Sequence, residues 1–128
     1  MAIEVILDAS AVLASINREP GGDVVDSVFD DAAISAINLA EVVSKLVDNG
    51  LTIEDIEAVI RDLPCEVIDF DEAAAISTGL LRSVTRANGL SLADRACLVL
   101  ACREGVPALT ADRAWARLDL GVEIRMLR

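Results

Sequence analysis

The run Ile3-Glu4-Val5-Ile6-Leu7, followed at once by Asp8, constrains this chain most. Five residues, four of them apolar, read as a strand buried on both faces. A carboxylate stands where the apolar run stops. The small apolar residues from Ala9 onward then begin a helix. Strands buried on both faces belong to parallel sheets with helices on each side. Asp8 therefore falls at the carboxyl end of a central strand, the edge along which open α/β sheets bind ligands.

The same alternation continues along the chain. The first helix runs to about Asn17 and is broken by Pro20-Gly21-Gly22. Asp23 to Asp30 reads as a short amphipathic helix with Val24, Val25, Val28 and Phe29 inward. Ala32 to Ala36 is a second strand, and Asn38 to Asp48 a helix ended by Asn49-Gly50. Thr52 to Leu63 follows as a helix, with Thr52 and Asp55 as a capping-box pair and Pro64 as its stop. Glu66 to Phe70 is a third strand. Asp71 to Ala87 is a long helix, and Ser91 to Arg103 a helix apolar almost all round, hence packed inside. Ala108 to Thr110 is a strand, Asp112 to Leu118 a short helix, and Val122 to Leu127 a last strand. This order predicts an α/β protein, a three-layer α/β/α sandwich around a mostly parallel sheet. The 128 residues favour one domain, residues 1–128.

Composition narrows the chemistry. Hydrophobic residues make up 54% but aromatics only 2%, so Ala, Val, Leu and Ile must fill the core. A base-stacking RNA reader, which needs exposed aromatic rings, is disfavoured. There is no histidine, which removes Ser-His-Asp and Cys-His catalysis and His-ligated zinc. Cys65, Cys97 and Cys102 lack CxxC spacing and read as reduced, buried thiols of a cytoplasmic protein. No basic leader precedes the first strand, and no apolar run approaches membrane-spanning length. The net charge of −11 suits a basic protein partner. It argues against a general basic surface for nucleic acid, so any RNA affinity would rest on metal and a few placed arginines.

Most acids lie on helix faces or in turns, but four have apolar neighbours. Asp8 ends a buried strand. Glu41 lies in Ile37-Asn38-Leu39-Ala40-Glu41-Val42-Val43, Asp94 in Gly89-Leu90-Ser91-Leu92-Ala93-Asp94-Arg95-Ala96, and Asp112 after Leu109-Thr110-Ala111. Each has a plain role open to it. Asp8 and Asp112 suit N-caps, and Asn38 with Glu41 and Ser91 with Asp94 suit capping boxes. Their common position points further, because strand ends and following helix starts share one edge of a parallel sheet. Carboxylates gathered there repel, and a divalent cation relieves the repulsion. With only oxygen donors the ion should be hard, Mg²⁺ or Mn²⁺, and such a site can activate water against a phosphodiester. Ser10 and Thr110 are candidates to orient the acids, or are turn hydroxyls. Lys45, Arg95 and Arg113 are candidates to meet a phosphate. Lys45 equally suits a helix salt bridge to Glu41, and the arginines, with Arg82, Arg86 and Arg117, suit a solvated surface.

These segments together resemble the PIN-domain nucleases, and among them the VapC toxins of bacterial toxin–antitoxin pairs. The likeness rests on Val5-Ile6-Leu7-Asp8-Ala9-Ser10-Ala11, Ile37-Asn38-Leu39-Ala40-Glu41-Val42, Gly89 to Leu98 and Leu109-Thr110-Ala111-Asp112-Arg113-Ala114-Trp115, four segments in order across the whole chain. Ala93 departs from the glycine many relatives carry there. The resemblance implies Mg²⁺- or Mn²⁺-dependent endoribonuclease activity with Asp8, Glu41, Asp94 and Asp112 as the acidic cluster. It also implies a homodimer and inhibition by a cognate antitoxin. Two other readings stand beside it. One is a non-catalytic acidic interaction module whose acids are caps. The other is a phosphoryl-transfer enzyme with Asp8 as nucleophile. Ser10 in place of a second Asp, and Lys45 as the only lysine, weaken the latter.

Overall fold

The computed structural model describes residues 2–128. Five strands, β1 (Val5–Leu7), β2 (Ala32–Ser35), β3 (Glu66–Ile68), β4 (Ala108–Thr110) and β5 (Ile124–Met126), form one sheet in the order β3-β2-β1-β4-β5. Every pairing is parallel, with Ile6 opposite both Ala33 and Ala108. Seven helices connect or cover the strands: α1 (Ala9–Ile16), α2 (Gly22–Val28), α3 (Ala36–Asp48), α4 (Ile53–Arg61), α5 (Glu72–Leu80), α6 (Arg82–Thr85) and α7 (Leu92–Glu104).

Alternation along β1 sorts the core into two halves, because successive strand side chains point to opposite faces. Val5 and Leu7 pack on one face with α1, α2 and α3, through Val12, Val25, Val42 and Leu46. Ile6 packs on the other, with Ala33, Cys97, Leu98 and Trp115. The sheet thus separates two apolar layers, giving the expected three-layer α/β/α arrangement. The α1–α2 contact is close enough to require glycine. A Cβ on Gly22 would sit 2.4 Å from the Ala14 carbonyl oxygen.

Several boundaries differ from the sequence reading. Residues 3 and 4 lie outside β1, and β2 ends at Ser35, not Ala36. The next helix opens at Ala36, with Ser35 as N-cap through a bond from the Ile37 N–H, so Asn38 caps nothing. The long helix expected over residues 71–87 is interrupted at Leu81 and finishes in a 3-10 turn, Arg86–Asn88. Gly79 and the β-branched Thr78, Val84 and Thr85 weaken helix propensity around that break. The helix expected over residues 112–118 is a 3-10 turn, Arg113–Arg117, with Trp115 fully buried beneath it. Short pieces of this kind commonly adopt the tighter 3-10 form. Val24 turns outward, and Cys102 is exposed on α7 while Cys65 and Cys97 are buried.

Candidate active site

The strand order reverses beside β1. The chain lays β2 and β3 on one side of it, then β4 and β5 on the other. Ligand crevices in open α/β sheets form outside the carboxyl ends of the strands at such a point. Asp8 follows β1 there, and Thr110 ends β4.

Asp8 is 5% exposed and every part of its carboxylate is held. Oδ1 accepts from the Ala11 N–H at 2.9 Å and from Ser10 Oγ at 2.7 Å. Oδ2 accepts from Thr110 Oγ1 at 2.5 Å. The two hydroxyls also bind the β4 exit: Ser10 Oγ accepts from the Ala111 N–H at 2.9 Å, and Thr110 Oγ1 from the Asp112 N–H at 3.0 Å. Ser10 and Thr110 thus both bond the Asp8 carboxylate, and they tie the β1 and β4 ends together.

The other three acids come to the same place from separate elements. Glu41 projects from α3 with Oε1 accepting from Asn38 Nδ2 at 3.3 Å. Asp94 opens α7 in a reciprocal capping box with Ser91. Asp112 caps the last 3-10 turn through the Ala114 N–H at 3.0 Å. The cap roles open to Asp8, Asp94 and Asp112 are real, yet they use one oxygen of Asp94 and one of Asp112. Asp8, Glu41, Asp94 and Asp112 line a single cleft of about 200 Å³, together with Ser10 and Lys45. A cap and a cleft-facing carboxylate are the same side chain here.

The electrostatics follow from that convergence. Burial raises the Asp8 carboxyl above its ordinary value, opposed by its hydrogen bonds from Thr110, Ser10 and Ala11, with a further upward push from Asp94. Burial also raises Glu41. Asn38 and Lys45 work against that rise, and Asp94 and Asp8 add to it. Beneath the cleft the Cys97 thiol is pushed well above its usual value, by burial and then by Asp8, Asp94 and Glu41. Cys97 is thus a neutral thiol packed in the core, without nucleophilic character.

Among the described residues, no three His, Cys, Asp or Glu side chains stand arranged so that they could hold a metal ion as they are placed. The donor chemistry nevertheless fits a hard cation. All donors are oxygen, two of the carboxyls are raised, and Lys45 is the one cation lining the cleft among the described residues. Among the described residues, Glu41, Asp94 and Asp112 each keep one oxygen without a protein donor.

The phosphate candidates separate. Lys45 lines the cleft. Arg113 is exposed beside Asp112 and is not part of the cleft wall, and Arg82, Arg86 and Arg117 are exposed elsewhere. Arg95 is a correction. It is 6% exposed, donating from Nη1 to the Thr78 carbonyl at 3.0 Å and from Nε to the Ser91 carbonyl at 3.4 Å. Its guanidinium ties α7 to α5, away from the acids. Sequence reasoning missed the buried role of Asn38, whose Nδ2 also donates to the Ala93 carbonyl at 3.0 Å. The Asn-x-x-Glu spacing is the visible signal, and it suits a capping box equally well.

A model of the PIN domain matches residues 5–120. No curated protein matches the sequence. Among solved structures, DNA-bound VapBC from Salmonella typhimurium is similar at 24% identity and TM-score 0.77, with 100% of both chains covered. VapBC-5 from Mycobacterium tuberculosis gives 23% and 0.62, covering 97% of this chain and 98% of that one. VapC20 from the same organism, a Sarcin-Ricin loop cleaving toxin, gives 12% and 0.71, covering 94% and 99%. At these identities the likeness is one of fold. With the family model spanning nearly the whole chain and the acids gathered at the sheet's switch point, the chain belongs to the PIN domain family.

Proposed function

We propose that the protein is a metal-dependent endoribonuclease, the toxin of a toxin–antitoxin pair, with Asp8, Glu41, Asp94 and Asp112 as its site. One observation carries this reading: a buried Asp8, clamped by Ser10 and Thr110, shares one cleft with three further acids and a single lysine. Those four carboxylates would hold Mg²⁺ or Mn²⁺. The bound ion supplies Lewis acidity, polarising the phosphodiester and easing deprotonation of water. Asp8 is rigid and anchors the site. Glu41, half-buried and held by Asn38, presents its carboxylate from the α3 side of the cleft. Lys45 offers an ammonium to a phosphate oxygen from the cleft wall, and Arg113 offers a second cation beside Asp112. The RNA backbone is then held by few charges, in keeping with a net charge of −11.

The partners follow the same reading. VapBC-5, similar in fold, is by name a member of a family of toxin–antitoxin systems. Ile76 and Leu80 on α5 and Val84 on α6 are 56%, 71% and 63% exposed, apolar surface that a second copy or an antitoxin would cover.

The test is cleavage of total cellular RNA, mapped by sequencing new ends, with Mn²⁺, with chelator and with Asp8→Asn. Discrete metal-dependent cuts that vanish in the variant are expected. Cuts shared by wild type and variant would refute the site. No cuts, together with a melting temperature indifferent to Mn²⁺, would leave the acids as caps of a non-catalytic interaction module.

A further inference from the structure

Asn38 is fully buried, three residues before Glu41 on α3, and lies outside the cleft wall. Its Nδ2 donates to Glu41 Oε1 at 3.3 Å and to the Ala93 carbonyl at 3.0 Å. Both partners are acceptors, so the amide has one possible orientation. Turned that way, Asn38 Oδ1 has no donor among the described residues. A buried unpaired acceptor costs stability. A leucine would fill much the same space without that cost. Core stability is therefore a poor reason for an amide here.

The two bonds offer a better one. They span two helices: Glu41 belongs to α3, and Ala93 immediately precedes Asp94 in the first turn of α7. Glu41 and Asp94 line one cleft, where like charges repel. That repulsion favours relaxation toward a wider spacing of the two carboxylates. One amide group gripping Glu41 and the Ala93 carbonyl opposes that relaxation. We infer that Asn38 is a positioning residue that sets the spacing of Glu41 and Asp94 and thereby the affinity of the cleft for a divalent cation. This rests on the metal-site reading proposed above. It assigns Asn38 no contact with RNA or with the ion.

The experiment is calorimetric titration of Mn²⁺ into purified, metal-stripped wild type, Asn38→Leu and Asn38→Ala, with melting curves in chelator. Mn²⁺ affinity should fall 10- to 100-fold in both variants, the range found when groups supporting metal ligands are removed. The Asn38→Leu protein should melt in chelator at the wild-type temperature or above. RNA cleavage should be lost at low Mn²⁺ and largely restored at saturating Mn²⁺. A folded variant that binds Mn²⁺ like wild type overturns the inference and leaves the metal reading standing, whatever its melting temperature. Wild type that binds no Mn²⁺ overturns both. If leucine prevents folding, Asn38→Ala, which only removes atoms, is judged by the same criterion.

Discussion

Thr110→Val probes the clamp on Asp8 most directly. Thr110 is fully buried, and valine matches its shape, so the change creates no cavity. What it removes is one hydroxyl with three partners: a donation to Asp8 Oδ2 at 2.5 Å, an acceptance from the Asp112 N–H at 3.0 Å and a longer contact with Ser10 Oγ at 3.3 Å. A hydrogen bond to a charged group contributes roughly 1.5–3 kcal/mol, and an unpaired N–H at a partly buried site adds roughly 1 kcal/mol. The expected loss at neutral pH is therefore about 2–4 kcal/mol.

Acid should shrink this loss. The hydroxyl opposes the rise of the Asp8 carboxyl, so valine leaves that rise less restrained. A carboxyl raised in the folded state binds an extra proton there, and stability falls as pH climbs from its ordinary value through the folded one. Below the ordinary value Asp8 is protonated in both states, and a neutral hydrogen bond of about 1 kcal/mol is at stake beside the roughly 1 kcal/mol of the unpaired Asp112 N–H. Urea unfolding of both proteins in chelator, at pH 7 and again below pH 4, measures the two deficits. A variant as stable as wild type at pH 7, or a deficit unchanged on acidification, would refute the account of the clamp.

Other outcomes follow from the same contacts. Mn²⁺ at one hundred times its dissociation constant should stabilise wild type by about 2.7 kcal/mol in thermal or urea melts, reversed by chelator. In metal-free protein the raised Asp8 and Glu41 carboxyls should make stability fall as pH rises above about 4, and Asp8→Asn should flatten that slope in pH-dependent melts while abolishing cleavage. Ser91→Ala breaks the capping box that holds Asp94 and should cost about 1 kcal/mol, with weaker Mn²⁺ binding by calorimetry. Arg95→Met should lower the melting temperature through the lost bond to the Thr78 carbonyl, yet leave KM for RNA unchanged in the folded protein, since Arg95 does not face the cleft.

The alternation of short apolar strands with helices was legible because buried parallel strands and amphipathic helices have different periods. Acid position was legible for the same reason, since Asp8 and Asp112 follow strands and Asp94 opens a helix in the linear order. Facing was not. Arg95 sits beside Asp94 in sequence, but consecutive helix residues point about 100° apart, and the packing of α7 on α5 turned the guanidinium inward. Cys102 and Val24 read as core and are exposed, because periodicity ranks faces without saying which has a neighbour.

The sequence by itself determined the class of the fold, the oxygen-only donor set, the acidic balance and the residues able to carry the chemistry, since these depend on composition and local pattern. Only the tertiary structure decided which contacts those residues make. It made Ser35 the cap of α3 and drew Asn38 inside to hold Glu41 against the start of α7. It laid β4 beside β1, so that Thr110, 102 positions from Asp8, became its hydrogen-bond donor. Such pairings depend on strand order and helix packing, which bring distant segments together through contacts that no local window contains.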